Sequence, residues 1–375
     1  MKHRSFDIII AGGGHAGVEA AHAACKIGAT VGLVTMDAQA IGRMSCNPAI
    51  GGLGKGHLVQ EIDALGGLMG SAADSAGIQF KTLNKSKGRA VWSLRAQIDK
   101  KQYPIYIQKS LFSHSSLEII TGEVVDFIVD NNEVSSVVLG DGSTLSVKAL
   151  IICSGTFLKG LIHIGNKSYP AGRYGEKPSI SLADNIVKKG FKSSRLKTGT
   201  PPRLDARSIN WNKTDIADGD PNPTPFSQRT PAPFNPPNHP CHIVHTNDNV
   251  HNILRKNLNK SAMYSGNITG AGPRYCPSVE DKIVRFKNRD EHQLFLEPEW
   301  TNSNQIYVNV FSTSMSKTVQ EDSIRNIVGL ENAEFIRYGY AINPSNRIWS
   351  SPRHVRHVRH LIQSIRSNTK NSWTN

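Results

Sequence analysis

Residues 6–17, F-D-I-I-I-A-G-G-G-H-A-G, constrain the fold of this chain more than any other stretch. The apolar run 6–11 has the composition of a buried strand. The Ala-rich residues 18–27 read as a helix that Gly28 closes, and T-V-G-L-V-T (30–35) reads as a second strand. Between strand and helix, Gly12, Gly14 and Gly17 stand at G-x-G-x-x-G spacing. Gly12 permits a tight turn, Gly14 lets the backbone approach a pyrophosphate, and Gly17 lets helix and strand pack closely. The helix N-terminus offers free N–H groups to phosphates. A glycine fingerprint alone is weak, but the flanking strand and helix favour dinucleotide binding over a plain tight turn. The acid that would bind a ribose is not obvious. Thr35 stands near its expected place and Asp37 is the nearest carboxylate, so this unit alone leaves FAD and NAD open.

Residues 38–100 do not continue the strand–helix repeat. They hold a Gly-rich stretch (51–56), an amphipathic segment (57–64) and a basic run. In that run Lys81, Lys85, Lys87, Arg89 and Arg95 surround Trp92. Interleaved cations and an aromatic suit a nucleic-acid backbone with a stacked base; the alternative is a solvated helix face. From residue 117 to 152 the period changes to that of strands, with Asn131-Asn132 and Asp141-Gly142 as turns. A β-meander that returns to a buried strand and then to Ser154-Gly155-Thr156 favours FAD over NAD at the first site. Residues 218–247 read as a loop, with eight prolines between Gly219 and Pro240, and as part of an inserted lobe. Cys241, His242, His245 and His251 have only loose metal-ligand spacing, and no metal is expected.

The chain carries 44 basic and 30 acidic residues among 375, a net charge of +14, which suits a polyanionic partner or a merely soluble basic surface. Five dispersed cysteines argue for reduced thiols in a cytoplasmic setting rather than a disulfide framework. No apolar run approaches the ~20 residues of a membrane span. The fold is expected to begin at Phe6, without a leader.

Two cysteines stand in unusual settings: Cys46 in M-S-C-N-P-A-I-G-G-L-G-K-G and Cys276 in G-P-R-Y-C-P-S-V-E-D-K. With S-R-L-K-T-G-T-P-P-R (194–203) and Q-L-F-L-E-P-E (293–299), these strings resemble the MnmG/GidA family. That family is the FAD-dependent subunit of an enzyme that installs a carboxymethylaminomethyl or aminomethyl group on C5 of the tRNA wobble uridine. The resemblance implies FAD, NADH as reductant, methylene-tetrahydrofolate as carbon donor, tRNA as substrate, a homodimer, and a GTPase partner, MnmE. It associates Gly12, Gly13, Gly14, His15, Ala16, Gly17, Val124 and Ser179 with FAD. It associates Gly272, Pro273, Arg274, Tyr275, Cys276, Pro277, Ser278, Val279, Glu280, Asp281, Lys282, Ile283, Val284, Arg285 and Phe286 with NAD. Its two cysteines fall on Cys46 and Cys276. The chemistry of uracil agrees, because C5 becomes nucleophilic only after a thiolate adds to C6. Cys276 lies near Arg274 and Lys282, Cys46 near Arg43 and Lys55, and either could be that thiolate. Cys276 is the expected nucleophile and Cys46 an assisting or resolving thiol. The bland alternative for each is an inert buried thiol. Cys25, Cys153 and Cys241 are expected to be structural.

The expected fold is α/β: a Rossmann-like FAD-binding domain of glutathione-reductase type with an inserted second α/β lobe. Its expected boundaries are 1–200, interrupted at about 44–100; a lobe at 201–290; a partial return at 291–342; and a divergent basic tail at 343–375. Family members continue past this point with a further Gly-rich stretch and a long helical region, and the resemblance is expected to stop near Ile342. The tail has six basic residues and no acid. A frameshift or truncation is one expectation for it, and a shortened protein with an RNA-binding tail is the other. His354, His357 and His360 read as a basic helix face. Arg89 stands where the family usually has Pro. Two other functions stay open: a non-catalytic remnant that keeps nucleotide or RNA binding, and the related folate- and FAD-dependent tRNA uridine methyltransferase.

Overall fold

The computed structural model describes residues 4–268, 278–345 and, by backbone, 347–349. Its first layer is a six-stranded sheet in the spatial order Leu117–Thr121, Val31–Thr35, Ser5–Ala11, Thr144–Ile152, Glu133–Leu139, Val124–Asp130. The first four run parallel, with Ile9 between Gly32 and Leu150. Such strands are buried on both faces, which is why 6–11 is a continuous apolar run. Ile9, Ile10, Val31 and Leu33 are fully buried.

The first helix, His15–Lys26, starts three residues before the expected position. Gly14 takes the N-cap role and its carbonyl accepts from Val18 N, so the glycine loop itself opens the helix. Gly28, at φ 86°, closes it through Gly28 N to Cys25 O and Ala29 N to Ala24 O. The expected meander is shorter than residues 117–152 suggest. Leu117–Thr121 joins the parallel sheet beside Val31–Thr35, and only the segments from Val124 on form the antiparallel meander. The turn residues behave as read: Asn131 and Asn132 both take positive φ, as does Gly142.

The insertion after residue 44 is a three-stranded sheet, Ala49–Gly51, Ser93–Ile98 and Gly77–Leu83, with helices Lys55–Ala64 and Met69–Ala76. The basic run is therefore a strand–loop–strand segment rather than a helix face. Asn84 and Gly88 break it with positive φ. The proline-rich loop ends at residue 240, because Cys241–His245 is a strand. It packs on the insertion. Phe226 is buried in the same core as Ile50, Phe80 and Ala96, and Phe234 meets Phe80 edge to face.

The second lobe is a six-stranded antiparallel sheet in the order Asp215–Ala217, Cys241–His245, Gln293–Pro298, Gln305–Asn309, Arg203–Asp205, Phe335–Arg337. Helices Asp248–Lys256, Val279–Arg285 and Lys317–Arg325 share its core. The expected return to the first domain at 291 does not match the strand pairing, which stays within this lobe through 337. The outgoing strand Tyr340–Ile342 pairs with the inbound strand Thr198–Thr200, as an inserted lobe requires. Beyond it, Arg347–Trp349 pairs with Lys192–Ser194. Among the described residues no helix is long and apolar enough to cross a membrane.

Candidate functional site: a dinucleotide cavity beside an exposed thiol

A cavity of about 280 Å³ lies over the ends of the parallel strands. Gly12, Gly13, Gly14 and His15 line it at the start of the first helix, Thr35 at the end of the second strand and Asp37 just past it, and Val124 and Ser179 on the far wall. The glycines do separate jobs. Gly12 has φ 113°, and a Cβ there would lie 2.4 Å from Cys153 O. A Cβ on Gly17 would lie 1.8 Å from Gly12 O, so Gly17 sets how closely helix and strand approach. A Cβ on Gly14 would meet nothing within 4 Å. That free space faces a helix N-terminus, the arrangement that admits a phosphate. Ala16 is exposed on the first turn of the helix. Ser179 Oγ and Arg173 Nε are buried on the cavity wall without a hydrogen-bond partner among the described residues. Groups left so are expected to meet a polar ligand. Asp37, Arg43, Glu176 and Arg173 form a chain of ion pairs along the rim at 3.0, 3.3 and 3.0 Å. Burial lowers the basicity of His15, and the charge of Arg173 adds to this, so the imidazole is neutral.

Ser45 lines the cavity, and the next residue is the exposed Cys46. Two cations grip the backbone carbonyl of Cys46: Lys100 Nζ at 3.0 Å and Arg203 Nη2 at 2.9 Å. Its sulfur lies 3.7 Å from Tyr307 Oη and 3.9 Å from Gly199 O. Arg203 is fully buried. It donates to Glu299 at 3.1 Å, to Pro201 O at 2.7 Å and to Thr200 Oγ1, and its guanidinium covers the Tyr307 ring at 4.8 Å. Lys100 donates to the same Glu299 carboxylate at 2.6 Å. Burial raises the Glu299 pKa, but Arg203 and Lys100 outweigh it and the net shift is downward. Burial lowers that of Lys100, with Glu299 opposing. Tyr307 is held well above the usual phenol range, first by burial and then by charge on Cys46. Sequence reasoning missed Tyr307, Glu299 and Arg203 as neighbours of the thiol. Arg203 and Glu299 had one signal, membership of the strings at 194–203 and 293–299, and Tyr307 had none.

The remaining expected site residues fall elsewhere. Cys276, with Gly272, Pro273, Arg274, Tyr275 and Pro277, lies outside the described residues. Ser278 caps the helix Val279–Arg285 reciprocally with Asp281. Val279 and Ile283 belong to the second-lobe core, and Glu280 accepts from Ser261, Thr313 and Ser314 in full burial. Burial lowers the basicity of Lys282, while Val284, Arg285 and Phe286 are exposed. Of the basic set, Arg95 does not serve solvent. It holds the buried Glu297 at 2.6 Å across the insertion–lobe boundary. Lys81 donates to Asp218 O and Lys85 pairs with Asp220, while Lys87 and Arg89 stand exposed, Arg89 over Trp92 at 5.7 Å. Cys241 faces Gln79, and burial pushes its thiol up to about 12. His242 bonds Thr214 and His251 bonds Thr246. Among the described residues no three His, Cys, Asp or Glu converge as metal ligands.

Fold and cavity define a Rossmann-type dinucleotide-binding α/β protein with an inserted second lobe. The chain belongs to the family described as glucose inhibited division protein A, whose model matches residues 7–352. That match passes the expected stop at Ile342. A tRNA uridine 5-carboxymethylaminomethyl modification enzyme MnmG of Thermodesulfovibrio yellowstonii is 52% identical over 341 residues, 91% of this chain and 54% of the relative. Two crystal forms of Aquifex aeolicus GidA match with TM-scores of 0.84 and 0.86 at 46% and 48% identity. Each match covers 91% of this chain, and 55% and 58% of theirs. The chain thus spans a little over half the length of these relatives.

Proposed function

We propose that this chain is the cofactor-binding and thiol-bearing part of an enzyme that adds a carboxymethylaminomethyl or aminomethyl group to C5 of the tRNA wobble uridine. One observation carries the reading: the dinucleotide cavity and the exposed thiol are joined by a single peptide bond, Ser45 to Cys46. The relative named for that modification supports it. FAD fits the cavity. The space at Gly14 and the first turn of the helix would take its pyrophosphate, Asp37 lies where a ribose would sit, and Ser179 and Arg173 offer unpaired polar groups. When bound, FAD supplies reducing equivalents from NADH to a one-carbon unit from methylene-tetrahydrofolate.

The residues of the chain do the rest. The first helix binds phosphate through its N–H groups. His15, kept neutral, donates or accepts one hydrogen bond without adding charge. A thiolate at Cys276 adds to C6 of the uracil and makes C5 nucleophilic, and Cys46 assists. Lys87 and Arg89, exposed beside Trp92, hold the tRNA backbone, and Lys81 adds positive field from a tethered position, while Lys85 reaches a phosphate only by leaving Asp220. A homodimer, the GTPase partner MnmE and a cytoplasmic location complete the proposal.

The test is the visible spectrum of the purified chain after FAD is added and the excess removed, followed by nucleoside analysis of tRNA incubated with the chain, NADH, methylene-tetrahydrofolate, glycine or ammonium, and the GTPase. A flavin band near one per chain and an aminomethyl-type wobble nucleoside are expected. A colourless chain overturns the cofactor assignment. Methyluridine at another tRNA position would instead identify the folate-dependent methyltransferase.

A further inference from the structure

Cys46 is exposed, yet what surrounds it is built from three distant parts of the chain. Arg203 and Tyr307 are direct cross-strand partners, which sets the guanidinium over the phenol ring. Lys100 follows the central strand of the insertion. Arg203 and Lys100 both end on the Cys46 carbonyl, so the peptide between Cys46 and Asn47 is fixed from two sides. The sulfur is thereby left 3.7 Å from a hydroxyl whose own residue is only 4% exposed. A thiol needing no partner would gain nothing from a buried phenol turned toward it, and two charged groups on one carbonyl exceed what a surface loop requires.

We propose that Tyr307 is a catalytic hydrogen-bond donor to the sulfur of Cys46, and that Arg203 and Lys100 are positioning residues that hold donor and sulfur together. When the thiol ionises, its S–H bond breaks and the proton leaves to water at this exposed residue. The phenol O–H stays intact and points at the anion. Burial keeps that phenol protonated at neutral pH, so Tyr307 gives a hydrogen bond but cannot take the proton as a base. A hydrogen bond to an anion is about twice as strong as one between neutral groups.

The proposal rests on Cys46 being a reacting thiol, but its test needs neither tRNA nor cofactor, so a chain that modifies no tRNA still decides it. The full chain is treated with iodoacetamide near neutral pH, and the alkylation rate of each cysteine is read by peptide mass spectrometry. In Tyr307→Phe, which keeps the ring under Arg203, Cys46 is expected to react roughly three- to tenfold more slowly: one charge-assisted hydrogen bond is lost, and the greater nucleophilicity of the less stabilised thiolate offsets about half of its effect on the rate. Cys153 and Cys241 should stay as slow as in the parent. Loosened packing would do the opposite, raising the rates of Cys153 and Cys241. Tyr307→fluorotyrosine keeps the shape and strengthens the donor, so Cys46 should react at least as fast as in the parent. A Cys46 rate in Tyr307→Phe equal to or above the parent's overturns the proposal. So does a slowing in Tyr307→fluorotyrosine, the variant that decides the matter if Tyr307→Phe exposes the buried cysteines.

Discussion

Gly14 and Gly17 belong to one fingerprint but are predicted to fail differently when each becomes alanine. Gly14 has φ −74°, open to any L-residue, and its new methyl meets no protein atom within 4 Å. Two small effects offset. Alanine is a poorer N-cap than glycine, and it reduces the freedom of the unfolded chain. Gly14→Ala should therefore change stability by no more than about 0.5 kcal/mol. The methyl stands, however, where a pyrophosphate must approach the first turn of the helix. Pushing the phosphate back weakens charge-assisted hydrogen bonds worth about 1.5–3 kcal/mol each, so FAD affinity should fall about tenfold or more. Gly17→Ala places a methyl 1.8 Å from Gly12 O, backbone against backbone, and helix and strand must part. Overpacking of this kind costs about 1–3 kcal/mol. At no more than about 2–4 °C per kcal/mol in a chain of this size, the melting temperature should drop by about 2–12 °C. Differential scanning fluorimetry of the FAD-free chains and flavin fluorescence titration separate the two. A Gly14→Ala chain that binds FAD as tightly as the parent would refute the reasoning, because the cavity would then not hold its ligand through the glycine loop.

Four further outcomes follow from named contacts. Arg95→Met strands the buried Glu297 carboxylate and should cost about 3 kcal/mol in urea unfolding, at the low end for a broken buried pair because burial already favours the protonated acid. Lys87→Ala with Arg89→Ala should leave stability unchanged but weaken tRNA binding and lower its salt dependence; an unchanged salt slope would remove this loop from the RNA surface. In the native chain, iodoacetamide should label Cys46 while Cys241, pushed up to about 12 by burial, reacts only on unfolding; equal rates would contradict their placement. Asp7, brought to about 2 by Lys148 and Thr30, contributes stability that is complete above the ordinary carboxylate value of 3.8 and is lost as pH falls through about 2. It is partly exposed, so Asp7→Asn should cost only about 0.5 kcal/mol at neutral pH, and nothing once both pKa values are passed, as measured by acid-dependent unfolding.

What the sequence disclosed depended on how local the physics is. The glycine loop was legible because strand, turn and helix lie within about one βα unit, and each glycine answers a steric demand from close by in the chain or from the next strand. Boundaries shifted where a partner decided them. Leu117–Thr121 has the same alternation as the meander, and only the open edge at Val31–Thr35 drew it into the parallel sheet. Gln293–Pro298 stayed in the second lobe because Cys241–His245 offered it an edge, which no periodicity reveals. The thiol site was half legible. Cys46 stood out, but Tyr307, Arg203 and Glu299 reach it from more than a hundred residues away, and cross-strand register, not spacing, brings them there. Arg95 shows the reverse error: a cation in a basic run looks solvated until its buried acid is known.

The dependence of the insertion on the proline-rich loop also sets an order of events during synthesis. Gln79 finds its acceptors on Ala217 and His239, Asp74 receives the N–H groups of Phe226 and Ser227, and Asp220 takes the N–H of Thr82. Phe226 fills the space under Gly51. A ribosome delivers the three short strands long before it delivers those partners. Until residue 240 has cleared the exit tunnel the insertion has a gap in its core and buried polar groups without mates, so it cannot finish folding as the chain emerges. The glycine-loop domain shares this core, since Ile10, Val31 and Leu33 belong to the same cluster as Ile50 and Phe226, so a nascent chain arrested before that point leaves the core of both incomplete.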